Sequence, residues 1–256
     1  MSEWVQSAEC FTCREPLSAY LARLDYVSSS ALRRFLRTGR SAAQSMMPDP
    51  TPREASLGDA LHALLLEPER FDESYLTLDA GASPPPGLDD QGAAARIWLS
   101  SDESQALKAM RRAVLTFARA PLGEWFARGE KELSIYRTDD HGGRWKGRPD
   151  CFTEDVILEL KTASDVRPAR FAKSRRRYGY DLQAALYIEG IARLTGRRPR
   201  FLYVAVESSR PHTVWLHEPT EAELENARNT LDDARKRFRA GLARSGGAAL
   251  AATGPA

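Results

Sequence analysis

The chain has 256 residues, 42 % hydrophobic and 28 % charged, which supports a real core and is typical of a soluble protein of one large or two small domains. Its 37 basic residues nearly cancel 35 acidic ones, leaving +2, so overall charge identifies no partner and only local clusters can. Three cysteines, Cys10, Cys13 and Cys151, argue against a secreted disulfide framework, and the lone CxxC lacks the further ligands that a zinc or iron–sulfur site needs.

The N-terminus, MSEWVQSAECFTCREP, is polar without an apolar signal core, and no run approaches the roughly 18 apolar residues of a membrane span. The expectation is a cytoplasmic protein with reduced thiols and no membrane partner. Residues 1–24 read as an N-terminal arm, loose over 1–18, ahead of one domain over 25–242 and a disordered tail over 243–256. Ser28, Ser29 and Ser30 precede Leu32, Phe35 and Leu36, and a serine cap before that spacing predicts a short helix. Residues 46–54, MMPDPTPRE, predict a loop. Leu57, Leu61, Leu64 and Leu65 predict a helix over 54–66, which Pro68 stops or redirects. Residues 80–96, AGASPPPGLDDQGAAAR, read as a flexible surface loop with no chemical signal.

A longer helix is predicted from Ser101 to Pro121. Residues 131–137, KELSIYR, then alternate as a strand, with a turn at His141-Gly142-Gly143 and strands over Arg144–Gly147 and Val156–Lys161. Charged, basic sequence runs on to Tyr178. A helix over 181–196 with a glycine exit, a buried strand over 201–208, its antiparallel partner over 213–218 and a charged amphipathic helix over 220–242 complete the chain. This order predicts an α/β or α+β single domain with a mixed sheet, and no internal repeat is present.

One stretch carries chemistry: GRPDCFTEDVILELKTA, residues 147–163. Pro149 cannot donate to a sheet ladder, so it marks a strand start or edge and places Asp150 beside a hairpin around Thr153, Glu154 and Asp155. On the following strand Glu159 and Lys161 share one face, while Leu158 and Leu160 share the other. An acid and a lysine on a core strand cost desolvation energy unless they are paired or bind something. Asp150 and Glu159 flank the same hairpin and could converge on a hard cation such as Mg²⁺, with Lys161 beside it to orient or deprotonate a water or to stabilise phosphate charge. An ordinary Glu–Lys pair on a solvated face is the competing reading of the same residues.

Asp150 with Glu159-Leu160-Lys161 resembles the PD-(D/E)xK nuclease signature. Further features resemble the RecE-like, exonuclease VIII type, branch of DNA exonucleases: LGDALHALLLEPERF (57–71), PLGEWFARGEKELSIY (121–136), the GRPD itself, and YGYDLQAALY (178–187) with Gln183 and Tyr187 four apart on one helix face. The likeness runs over residues 25–240 in order and spacing. It implies a restriction-endonuclease-like mixed sheet flanked by helices. His62, Asp150 and Glu159 would hold Mg²⁺, or Mn²⁺, with the Leu160 carbonyl. Lys161 would position the attacking water. Glu132, or its neighbour Glu130, would be the nearby acid, and Gln183 and Tyr187 would orient the strand.

The resemblance further implies 5′-to-3′ resection of duplex DNA with free ends, a single-strand annealing partner and a ring-shaped homo-oligomer. Residues 167–180 suit that substrate. Arg170, Lys173, Arg175, Arg176 and Arg177 interleave with Phe171, Tyr178 and Tyr180, matching phosphate charge and base stacking. Together with Arg148, this stretch holds the expected DNA contacts. Arg33, Arg34, Arg37 and Arg40 form a second basic cluster. No GxxxxGK[ST] is present, so the chain carries no ATPase motif. Two rival readings remain: a non-catalytic DNA-binding or assembly module on the same fold, and a structure-specific endonuclease.

Overall fold

In the computed structural model, which describes residues 7, 9–47, 57–79, 82 and 97–244, the chain enters through β1 (Cys10–Cys13), α1 (Leu17–Ala22) and β2 (Val27–Ser28). This corrects the expectation of a loose arm for the residues described. Cys10 is buried, and Phe11 stacks on Tyr136 with ring centroids 5.2 Å apart. Four residues are too few to carry a periodic signal, so sequence alone misses this edge strand. All three cysteines are free thiols.

α2 (Ser29–Thr38) begins where Ser28 Oγ accepts the Ala31 N–H at 3.2 Å and ends at Gly39, whose φ of 67° suits a residue without a Cβ. α3 (Ala42–Met46) carries a capping box from Ser41 and Gln44. α4 (Leu57–Leu66) is the leucine-rich helix. Pro68 redirects the chain by opening α5 (Pro68–Ser74), because a proline in the first turn forfeits no helical hydrogen bond. β3 (Tyr75–Thr77) and β4 (Ile97–Leu99) pair in parallel. α6 (Ser101–Leu115), capped by Ser100 and Glu103, stops six residues before Pro121, and a separate α7 (Leu122–Arg128) follows.

Then come β5 (Glu130–Lys131), β6 (Ser134–Thr138), β7 (Arg144–Gly147), β8 (Cys151–Phe152) and β9 (Val156–Ala163). The basic segment after β9 forms α8 (Pro168–Tyr178). Its large apolar residues, Phe171 and Tyr178, are too sparse to mark a helix. α9 (Tyr180–Thr195), β10 (Arg200–Glu207), β11 (Val214–His217) and α10 (Glu221–Arg244) close the described chain. Most of the loops expected at 46–54 and 80–96, and the tail beyond Arg244, lie outside the described residues.

One sheet has the order β11-β10-β9-β8-β5 and a second β1-β6-β7-β2, so the architecture is mixed α/β. β9 and β10 run parallel along their whole length, Val156 opposite Arg200 through Ala163 opposite Glu207. The pleat divides their side chains between two cores. Ile157, Phe201, Tyr203 and Ala205 join α2, α9 and α10. Leu158, Leu160, Leu202, Val204 and Val206 join α4, α6 and α7. Among the described residues no helix is long and apolar enough to cross a membrane.

Arg175, on α8, is buried. Its guanidinium bonds Glu223 on α10, lies 3.1 Å from Asp181 on α9 and bonds His217 on β11. Burial alone would raise the Glu223 pKa, but Arg175 and the Thr220 N–H at 2.9 Å outweigh it and hold the carboxyl down at about 2. A depressed acid contributes stability that is complete above its unfolded pKa, about 4.3, and fades as pH falls toward the folded value. Glu223→Gln should therefore abolish part of the acid sensitivity between about pH 4.3 and 2. Urea midpoints across that window would show the variant's curve flatter than the wild type's, and parallel curves would contradict the linkage.

Candidate active site

The β8–β9 hairpin builds the site by register. Cys151 faces Leu158 and Phe152 faces Ile157. Continuing that register brings Pro149 opposite Leu160, where a proline has no N–H to offer. That leaves the Leu160 carbonyl without a ladder donor from this residue, and the Leu160 N–H donates to Asp150 Oδ2 at 2.6 Å. The Leu160 carbonyl lies 3.1 Å from Nε2 of His62, which α4 lays across β9. His62 Nε2 is also 3.1 Å from Asp150 Oδ2. On the other side of the ring, Nδ1–H donates to Gly58 O at 2.8 Å, one turn back along α4.

The chemistry of these atoms is informative. A carbonyl only accepts, so the Gly58 contact places a proton on Nδ1. In the neutral ring Nε2 is then a lone pair facing two further electron-rich oxygens. Two arrangements resolve this clash: a second proton on His62, or a cation among the three atoms. Without a metal the proton is favoured. Burial alone would lower the His62 pKa, but Asp150 outweighs it and lifts the value to about 9. Burial likewise would raise Asp150, and His62, Lys161 and the Leu160 N–H pull it down.

Glu159 and Lys161 share the opposite face of β9, as the pleat requires. Lys161 Nζ donates to Glu159 Oε1 at 2.7 Å and lies 4.8 Å from the centroid of the Tyr180 ring. Gln183 Nε2 also donates to Oε1, at 2.7 Å. Glu159 Oε2 is buried and has no hydrogen-bond partner among the described residues. Burial first, then the charge of Asp150, push the Glu159 pKa up to about 7. Burial would lower Lys161, but Glu159 and Asp150 outweigh it and raise it. A pair on a solvated face would show neither the burial nor the orphaned oxygen.

Gln183 and Tyr187 are one turn apart on α9, as expected, but both are buried. Tyr187 Oη accepts from Gln183 Nε2 and donates to the Arg148 carbonyl, each at 3.1 Å. In this geometry they position Glu159 and the GRPD segment. Arg148 is also internal: it donates to Glu132 at 2.7 Å, to the Glu15 carbonyl at 2.9 Å and to Ser134 at 3.3 Å, and lies 3.9 Å from Glu67. The structure thus makes Arg148 a brace beneath the site, correcting its expected place at a DNA surface. Glu132 joins that brace with φ at 49°. Burial, then Asp150, lift its pKa to about 7. Glu130 instead pairs with Arg14.

On α8, Arg170, Lys173, Arg176, Arg177 and Tyr178 are exposed. Arg175 is not, and its ion pairs correct its expected role in DNA contact. Of the second basic cluster, Arg33 donates to the Tyr178 carbonyl and Arg34 to the Ser45 carbonyl, so both serve the fold. Sequence reasoning missed Glu67, which lies beside Arg148 between Leu66 and Pro68. It marked Tyr180 only as an aromatic of the basic stretch, and the structure sets its ring beside Lys161.

Among the described residues no three His, Cys, Asp or Glu side chains are grouped to hold a metal by themselves. The atoms that meet are instead His62 Nε2, Asp150 Oδ2 and the Leu160 carbonyl, and the orphaned Glu159 Oε2 belongs to the preceding residue of β9. Hard oxygens with one imidazole suit Mg²⁺ or Mn²⁺.

The sequence profile of the family described as "PDDEXK-like domain of unknown function (DUF3799)" matches residues 28–244. Among solved structures, an Eubacterium rectale protein named "Putative exonuclease" aligns with TM-score 0.62 at 15 % identity, over 90 % of this chain and 86 % of that one. At that identity the likeness establishes the fold. An alkaline exonuclease (LHK-Exo) from Laribacter hongkongensis aligns over 90 % of this chain and 96 % of its own at 11 % identity, with a TM-score of 0.35, too low to carry an argument. No curated protein matches the chain. The family and the fold together support a nuclease.

The Tyr187 brace is tight at Gly147. A Cβ there would lie 2.8 Å from two carbons of the Tyr187 ring. Gly147→Ala should cost about 1–3 kcal/mol by overpacking. Urea denaturation measures it, and an unchanged midpoint would mean that the ring yields freely.

Proposed function

The chain belongs to the PDDEXK-like domain family, and on that premise we propose that it is a metal-dependent deoxyribonuclease that hydrolyses phosphodiester bonds of linear duplex DNA from an end. The observation that carries the proposal is the meeting of His62 Nε2, Asp150 Oδ2 and the Leu160 carbonyl at 3.1 Å, with the Lys161–Glu159 pair on the same strand. His62, Asp150, the Leu160 carbonyl and Glu159 would hold Mg²⁺ or Mn²⁺. A bound metal supplies Lewis-acid polarisation and a lowered pKa for water. Lys161, held protonated by Glu159, orients the attacking water and balances charge that builds on the phosphate. Gln183 and Tyr187 keep Glu159 in place. The exposed cations of α8 supply backbone affinity.

The finer assignment follows the RecE-like resemblance: 5′-to-3′ resection in recombination or repair, a 3′ strand left for an annealing protein, and a ring-shaped homo-oligomer in the cytoplasm. A time course on 5′-labelled, 3′-labelled and circular duplex DNA, with Mg²⁺ or EDTA, tests it. Metal-dependent early loss of the 5′ label from linear DNA alone is the expected result. Cutting of the circle would make the protein an endonuclease. Binding without digestion in Mg²⁺ or Mn²⁺ would make it a non-catalytic module.

Two variants probe the roles. Lys161→Ala should lower cleavage by roughly 100-fold or more while leaving folding intact. Near-normal cleavage would sink the assignment. For the metal, binding must displace the His62 proton, held up to about 9. Below that value each step down in pH leaves less deprotonated ring, so apparent Mn²⁺ affinity should rise steadily from pH 6 to 9. Isothermal titration should show that slope in the wild type and a weaker, flatter response in His62→Ala. Equal slopes would remove His62 from the metal site.

A further inference from the structure

α8 and α9 meet at a corner that does more than turn the chain. Within one continuous helix, residues two apart point to opposite sides and their rings cannot stack. Here Gly179 intervenes with φ at 64°, ending α8 at Tyr178 and starting α9 at Tyr180. The break lays the two rings against each other, with centroids 5.7 Å apart and planes 25° from parallel. Arg33 braces the corner from α2: its Nη1 donates to the Tyr178 carbonyl at 3.0 Å, and its side-chain stem passes 3.1 Å from where a Cβ on Gly179 would sit.

The two rings differ in surroundings. Tyr180 is anchored inward, its ring 6.3 Å from Tyr203 in the core and 4.8 Å from Lys161 Nζ. Tyr178 is 43 % exposed, one of few large apolar side chains so placed among the described residues. An aromatic path thus leads from solvent through Tyr178 and Tyr180 to Lys161. α8, which ends at Tyr178, carries the exposed cations Arg170, Lys173, Arg176 and Arg177, of which Arg170 also lies 3.8 Å from Asp165. Arg177 lies 5.6 Å from the centroid of the Tyr178 ring, an exposed guanidinium that can move from the ring to an adjoining phosphate.

We propose that the Tyr178–Tyr180 step is a stacking platform for an unpaired nucleobase, so that the strand to be cut reaches Lys161 single-stranded, from an overhang or a frayed end. This rests on the nuclease reading for the role of Lys161. The occupant follows from the chemistry. A flat apolar ring beside exposed positive charge suits a base attached to a phosphate, and base–aromatic stacking is tolerant of sequence. A paired base inside a duplex has no free face to offer.

The test uses duplexes carrying a 5′ or a 3′ overhang that ends in 2-aminopurine, a distal fluorescein and a blunt control. In EDTA, wild type and Tyr178→Phe should quench the 2-aminopurine. Tyr178→Ala should lose the quench and bind the overhang about tenfold more weakly by anisotropy, with little change on the blunt duplex. Equal quench and affinity in Tyr178→Ala, or no quench by the wild type, would overturn the platform. Digestion of the same duplexes in Mg²⁺ separates the two claims. Digestion without Tyr178-dependent stacking leaves the nuclease reading and removes the platform. Tyr178-dependent stacking without digestion does the reverse.

Discussion

The backbone N–H of Leu160 donates to Asp150 Oδ2 at 2.6 Å, and the rest of the site is arranged around that bond. A charge-assisted bond of this kind is stronger than a ladder bond between neutral groups. It holds the Asp150 carboxylate against the edge of β9. Because the N–H and carbonyl of one strand residue point the same way, the Leu160 carbonyl is turned to the same side. There it meets His62. A residue with an N–H at 149 could satisfy that carbonyl within the sheet, leaving less reason for His62 and Asp150 to converge on it.

The position of the bond also explains why the site lies where it does. β7 belongs to one sheet and β8 to the other, and Arg148-Pro149-Asp150 is the crossing between them. A seam between sheets has unpaired backbone by construction, which elsewhere would be a liability. The surrounding residues turn it into a fixed frame. Tyr187 takes the Arg148 carbonyl from α9, and Arg148 returns across the seam to Glu132, Ser134 and the Glu15 carbonyl. Buried ionic groups placed this way stabilise little on balance and specify geometry instead. Glu132 at φ 49° marks the strain accepted to close the frame.

Much of this was legible in the sequence, and the limits were physical. Alternation placed Glu159 and Lys161 on one face of β9 and Leu158 and Leu160 on the other, since the pleat admits no other arrangement. Helical spacing placed Gln183 and Tyr187 on one side of α9. Depth was the hidden quantity. Gln183, Tyr187, Arg148 and Arg175 carry groups that bind phosphates when exposed and hold frames together when buried, and spacing does not separate the two. Arg175 differs from Arg176 and Arg177 only in facing Asp181 and Glu223, which lie 6 and 48 residues away in the chain. The β1–α1 segment escaped for a related reason: its packing against Tyr136 depends on a strand more than a hundred residues later.

The two cores on either face of β9 and β10 give this frame its consequence. The His62–Asp150 half of the site takes its support from the α4 side, and the Glu159–Lys161 half from the α9 side. Neither half can shift without repacking a core at close-packed density. Two ion pairs, His62–Asp150 and Lys161–Glu159, are thereby held out of water, with one buried carboxylate oxygen unsatisfied among the described residues. An unsatisfied buried acceptor costs about 1–3 kcal/mol, and a carboxylate more. A cation near Glu159 Oε2 would return that energy as binding affinity. The same rigidity that leaves this oxygen unsatisfied would preorganise the site for such a cation.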